Sequence, residues 1–383
     1  MGAGGSPLVR LEMTTDPSAA TFAPTPGFWT GRRVFVTGHT GFKGSWLLLW
    51  LHRLGAHVAG FALEPPTDPS MFSALNLGEL CRHTVGDVRN YASLHAELIR
   101  SQPQIVMHLA AQPLVRLSYK EPLATIETNV MGTANLLVAC REVASVNAVV
   151  IVTSDKCYAN KEWRRPYREA DSLGGYDPYS ASKACAELVT DALRHSYFHP
   201  ERYVDHGVAV ASARAGNVIG GGDWGADRIV PDAVRAFSQG RKLAVRRPSA
   251  VRPWQHVIDP LAGYLALARA LVERGPEFAS AWNFGPSSGD VHTVAELVES
   301  FAAAWGDGAA WFVPEASSAL HEAGHLTLDP ALANRRLHWA TRVSFDDAIA
   351  STAAWYRRHY SECGADRMRQ LTIDQIIRYY PEA

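Results

Sequence analysis

The chain has 383 residues, 47% of them hydrophobic and 20% charged, with 37 basic against 38 acidic side chains. That balance excludes a disordered or fibrous chain and supplies no global field to draw nucleic acid or an anionic membrane, so any phosphate must be held locally. The length exceeds what one hydrophobic core usually serves, which predicts a large domain carrying a smaller one.

Residues 1–27 are rich in Ala, Gly, Pro, Ser and Thr without apolar periodicity and predict a disordered tail. From Arg32 onward, short apolar runs at 34–37, 57–63, 81–85, 105–109, 149–153 and 208–213 predict buried strands. Between them, stretches at 41–54, 91–100, 124–141 and 178–195 carry apolar residues three or four apart and predict helices. Such alternation predicts an α/β fold with a doubly wound parallel sheet over residues 28–213, to which some later segments return. After about residue 215 the alternation loosens, glycines at 220–222 and several prolines intervene, and helical segments such as 294–305 take over. Residues 214–383 are therefore expected to form mainly a smaller, substrate-binding domain.

The cysteines, Cys81, Cys140, Cys157, Cys185 and Cys363, form no CxxC pair and are odd in number, which suggests neither a zinc site nor a disulfide framework. No apolar stretch of about 18 residues and no secretory start are evident, so a cytoplasmic enzyme without a metal is expected.

The first strand runs into Gly38-x-x-Gly41-x-x-Gly44 and then into a helix. In such a turn the first glycine permits the tight bend, the second lets backbone N–H groups approach a pyrophosphate, and the third lets helix and strand pack closely. Glu64 ends the second strand about 20 residues later, where an acidic group binds a ribose 2′-hydroxyl and favours NAD over NADP; a solvated loop residue is the alternative. Asp87, ending the third strand, is a second candidate for the adenosine side, with a helix N-cap as its alternative.

Tyr179 and Lys183 open an amphipathic helix and, four residues apart, share one face. An ammonium beside a phenol favours phenolate, which lets the tyrosine accept a proton from a sugar hydroxyl. Ser154, Asp155 and Lys156 follow the fifth strand, where open sheets place their ligand crevice. Taken singly, each of these patterns also fits a turn or a helix surface.

Taken together they resemble the extended short-chain dehydrogenase/reductase family, and within it the nucleotide-sugar 4,6-dehydratases. Supporting segments are HLAAQ at 108–112, TNVMGT at 128–133, ARAGNVIG at 213–220 and RPWQHV at 252–257. The Ser-Asp-Lys triplet combined with TGHTGFKG at 37–44 resembles the CDP-glucose branch, where other dehydratases carry Glu third; epimerases usually lack the acid pair. The resemblance implies a Rossmann fold and an NAD site formed by Gly38, Thr40, Gly41, Phe42, Gly44, Glu64, Asp87, Ala110, Tyr179 and Lys183. It implies a homodimer built on the 124–141 and 178–195 helices, and CDP-glucose or a related nucleotide sugar as substrate, with Gln112 and Arg116 at the sugar and Asn217 and Arg252 at the diphosphate. His256 has a structural role as its ordinary reading.

In the implied chemistry Tyr179 removes the O4 proton, Ser154 positions the hydroxyl and Lys183 stabilises the phenolate. Asp155 then serves as acid for the departing C6 hydroxyl. Lys156 is the candidate C5 base, a charged lysine stabilising an enolate being the alternative. The same dehydration on dTDP-glucose or GDP-mannose, a 4-epimerase, and a catalytically silent NAD-binding scaffold are the competing readings.

Overall fold

The structure is a computed structural model that describes residues 22–286, 291–315, 325–361 and 364–383. Most of the expected tail, 1–21, lies outside them, as does Cys363. From Phe22 the chain is packed: Pro26–Trp29 form a helical turn that buries Phe28 and Trp29, and Arg269 Nη1 donates to the Ala23 carbonyl at 3.1 Å. Residues 22–27 are thus packed where composition predicted a tail, because Phe22, Phe28 and Trp29 gain more from burial than the flanking prolines and glycines cost in order.

Seven parallel strands form the main sheet: β1 (Arg33–Thr37), β2 (His57–Ala62), β3 (Arg82–Val85), β4 (Ile105–His108), β5 (Ala148–Val152), β6 (Ala209–Ala215) and β7 (Ala281–Phe284). Their order is β7-β6-β5-β4-β1-β2-β3. Side-chain alternation sends successive residues to opposite faces, which is why central strands are apolar throughout. Val34, Val36, Val150 and Val152 join one core, whereas Phe35, Val149 and Ile151 join the other.

Helices α1 (Phe42–Arg53), α2 (Tyr91–Ser101), α3 (Gly132–Cys140) and α4 (Pro178–Tyr197) cover the two faces. The expected 124–141 helix is interrupted: a wide π turn at Glu127–Met131 separates Pro122–Ile126 from α3. Asn129 sits inside that turn, where its Oδ1 accepts from the Gln112 N–H at 2.8 Å and its Nδ2 donates to Ser182 Oγ at 2.8 Å. The widened turn aims one buried amide at two neighbouring elements.

The later chain contributes α5 (Ile229–Phe237), α6 (Ile258–Arg274), α7 (Val294–Trp305), α8 (Phe345–Tyr360) and α9 (Ala365–Tyr379). It also returns β7 to the sheet edge beside β6, with Trp282 opposite Ala213. Buried Asn283 interrupts that strand's apolar pattern and is satisfied across the fold, accepting from the Tyr158 hydroxyl at 2.8 Å and donating to the Tyr167 carbonyl at 2.9 Å. Among the described residues no helix is long and apolar enough to cross a membrane.

Candidate active site

Strand order reverses between β1 and β4, so the chains leaving their carboxyl ends diverge and open a crevice. A cavity of about 1090 Å³ occupies it, and the turns after all of β1 to β6 contribute to its wall. Gly38 there has φ +74°, and a Cβ on it would lie 2.6 Å from the Ala110 nitrogen. A Cβ on Gly44 would lie 2.1 Å from the Gly38 carbonyl oxygen, whereas one on Gly41 would meet only that oxygen, at 3.4 Å. The outer glycines are therefore demanded by packing, and the middle one leaves a surface open to a ligand. Gly41 also begins α1 without a capping side chain, so the helix presents its first N–H groups to the cavity. This cradle fits a dinucleotide diphosphate.

Thr40 ties the turn to the end of β2 through Oγ1 donating to the Leu63 carbonyl at 2.9 Å, while Thr37 Oγ1 accepts from the Leu109 and Ala110 N–H groups, each at 3.2 Å. Glu64 is exposed on the cavity rim. Asp87 lines the wall with its carboxylate held at 2.6 Å by Arg89, whose hydrogen bonds push its pKa down. The following helix is capped by Asn90, not by Asp87.

Asp177 caps α4, accepting from the Ser180 N–H at 2.9 Å, and Pro178 opens the helix. Tyr179 and Lys183 are thereby both buried on the cavity side, opposite the turn carrying Ser154, Asp155 and Lys156. Asp155 is 1% exposed; its Oδ1 accepts from Ser154 Oγ at 2.9 Å and lies 3.8 Å from Lys156 Nζ. Its Oδ2 is buried with no hydrogen-bond partner among the described residues. A buried oxygen left so is costly unless another polar group comes to meet it.

Burial pushes the Tyr179 phenol up to about 12, with the Asp155 charge adding to it and a hydrogen bond to Ser154 opposing. The lowering expected from Lys183 does not appear in the ligand-free chain: Lys183 Nζ donates to the Val152 carbonyl at 3.4 Å, and desolvation brings its own pKa down to about 8. Behind β5, the same lysine's helix carries Glu187, which pairs with Arg214 at 2.7 Å and accepts from Thr153 and Ser212. That buried network fixes the strand end from which Ser154 and Asp155 project.

Arg116, Asn217 and Arg252 line the same cavity. Arg116 Nε is 3.5 Å from Asp227, Asn217 Oδ1 is buried without a partner, and Arg252 Nη1 donates to the Val251 carbonyl at 2.8 Å. Gln112 departs from expectation. Its Oε1 accepts from the Leu114 N–H at 2.6 Å and its Nε2 donates to Thr125 Oγ1 at 2.8 Å, so its amide is consumed in shaping the loop after β4 and it does not line the cavity. His256 is fully buried, packs edge-on against Trp46 and is lowered to about 3 by desolvation, which makes it a neutral structural residue.

Two further cations that no motif pointed to stand at the same centre. Lys43, inside the glycine motif, lies on the cavity wall with its Nζ 3.5 Å from the hydroxyl of buried Tyr264. Arg228, just before α5, also lines the cavity and pairs with Asp223 at 2.8 Å. The available signal was a lysine in the first turn of α1 immediately before its buried run 44–51, a position where a cation is out of place without a partner.

A model of the GDP-mannose 4,6 dehydratase family matches residues 35–352. The CDP-glucose 4,6-dehydratase of Salmonella typhimurium is 49% identical over 330 residues, spanning 86% of this chain and 92% of that protein. Among solved structures, a double mutant of the dTDP-glucose 4,6-dehydratase DesIV from Streptomyces venezuelae, with NAD and DAU bound, superposes with TM-score 0.69 at 25% identity, covering 86% of this chain and 98% of that one. MoeE5 in complex with UDP-glucuronic acid and NAD gives TM-score 0.71 at 26% identity, covering 85% and 99%. The family match over most of the sheet and its crevice, together with the 49% identity, shows that this chain belongs to the GDP-mannose 4,6 dehydratase family of the extended short-chain dehydrogenase/reductase fold.

Proposed function

We propose that the protein is a CDP-glucose 4,6-dehydratase that converts CDP-glucose to CDP-4-keto-6-deoxyglucose on a resident NAD. The observation that carries the reading is the convergence of Ser154, Asp155, Lys156, Tyr179 and Lys183 on one cavity with the glycine cradle. The choice of cytidine rests on the 49% identity to the Salmonella enzyme.

NAD, when bound, supplies the hydride acceptor for C4 and the donor for C6, and its oxidised ring brings a positive charge that favours phenolate at Tyr179. The chain's own residues handle protons and position. Tyr179 takes the O4 proton, Ser154 holds that hydroxyl, and Lys183 keeps an ammonium behind the phenolate. Once the sugar carries a 4-keto group its C5 hydrogen is acidic. Asp155, through the unpartnered Oδ2, delivers a proton to the departing C6 hydroxyl, and Lys156 serves C5 as base or as a charge for the enolate. Arg116 serves the sugar, and Asn217 and Arg252 hold the nucleotide diphosphate, the Arg252 guanidinium supplying a planar fork suited to phosphate oxygens. A cytoplasmic homodimer completes the proposal, with residues 28–213 serving the cofactor and later segments mainly the substrate.

The test is product mass after incubation with NAD and, in parallel, CDP-glucose, dTDP-glucose, UDP-glucose and GDP-mannose. Loss of one water from CDP-glucose is expected, reduced about 10²- to 10⁴-fold by Tyr179→Phe and by Asp155→Asn. Water loss from another of these sugars would overturn the substrate, and an unchanged mass with inverted C4 would overturn the reaction.

A further inference from the structure

Lys43, Lys156, Lys183 and Arg228 all line the cavity that holds the catalytic groups. Arg228 pairs with Asp223 at 2.8 Å, and the charge of Glu187, one turn along α4, acts on Lys183. Lys43 rests on a neutral group, the Tyr264 hydroxyl at 3.5 Å, with the Tyr264 ring centroid 5.8 Å away. Tyr264 is fully buried on α6 and fixes that ammonium in place. The charges that act on Lys43 are Arg228, Asp155 and Lys183, which sets it beside the groups assigned to the sugar and not with Arg252, assigned to the diphosphate.

We infer that Lys43, held by Tyr264, is a positioning residue whose charge shifts the bound cofactor toward its reduced form. The inference rests on the NAD reading above. Hydride exchange demands that the nicotinamide ring lie beside the sugar carbon whose hydroxyl Tyr179 holds, so a cation of this cluster acts on the ring. An oxidised ring is positively charged and a reduced ring neutral; a nearby fixed ammonium therefore disfavours the first and leaves the second unaffected. Such a charge strengthens the oxidant needed at C4 and also favours the anions formed from the substrate. Desolvation and the charges of Arg228 and Lys183 bring Lys43 down to about 8, against the opposing charge of Asp155.

The experiment titrates the full chain, freed of copurified nucleotide, with NADH by its fluorescence, and with NAD⁺ by competition, at neutral pH. Lys43→Met is expected to lower the ratio of NADH to NAD⁺ affinity about tenfold, and Lys43→Arg to keep it within about twofold of the original chain. Lys43→Gln gives the same test should the methionine variant fold poorly. An unchanged ratio in the neutral variants, with both affinities falling together, would make Lys43 a diphosphate ligand and overturn the inference while leaving the cofactor assignment intact. Failure of the original chain to bind either dinucleotide would overturn the cofactor reading and the inference with it.

Discussion

Tyr179 shows how far residue type and spacing carry an active-site argument. Four-residue spacing on a helix was enough to place Tyr179 and Lys183 on one face, but their proton affinities belong to burial: the phenol rises to about 12 and the ammonium falls to about 8. Lys43 is lowered to about 8 as well, chiefly by desolvation and the Arg228 charge. Both act in the charged form, which is complete below their lowered pKa values and lost as pH rises through them. The expected outcome is a kcat/KM that falls as pH rises through about 8; a profile flat to about pH 10 would remove these ammonium groups from the mechanism. No spacing rule could have paired Lys43 with Tyr264, 221 residues away.

At the scale of elements, the glycine turn separates packing from binding. Gly44→Ala sets a Cβ against the Gly38 carbonyl and is expected to disrupt the turn and destabilise the fold, whereas Gly41→Ala has room. Gly41→Ala should therefore leave the melting temperature nearly unchanged while weakening NAD, as read by thermal unfolding beside fluorescence titration. The Arg214–Glu187 pair joins β6 to α4 with side chains 4% and 3% exposed. Arg214→Met strands a buried carboxylate and is expected to cost about 3–5 kcal/mol in urea unfolding, far beyond an exposed pair. The sequence analysis read α4 within two residues at its end and missed the π turn at Glu127–Met131, because that turn is set by what Asn129 reaches across the fold.

At the scale of the whole molecule, the segments expected to form the dimer carry exposed apolar side chains: Leu123 is 73% exposed, Leu188 57%, Met131 52% and Ile126 43%. This supports the proposed homodimer: light scattering should report twice the chain mass, and Leu188→Glu with Leu123→Glu should reduce it to the monomer. A monomeric mass in the original chain would send this surface to another role.

The sequence by itself determined the doubly wound sheet, because strands buried on both faces must be apolar throughout and helices half-buried must repeat every three or four residues. The glycine turn, the Tyr–Lys pair and the Ser-Asp-Lys turn were legible as candidates because each concentrates its pattern in a few adjacent positions, and the fold brings all three to one cavity. Packing in three dimensions alone settles which later segment returns as β7, that Gln112 braces a loop, that Asp155 Oδ2 has no partner among the described residues, and that Lys43 faces the centre. Those four facts depend on contacts between distant segments and on how much water each group loses, which local patterns do not encode.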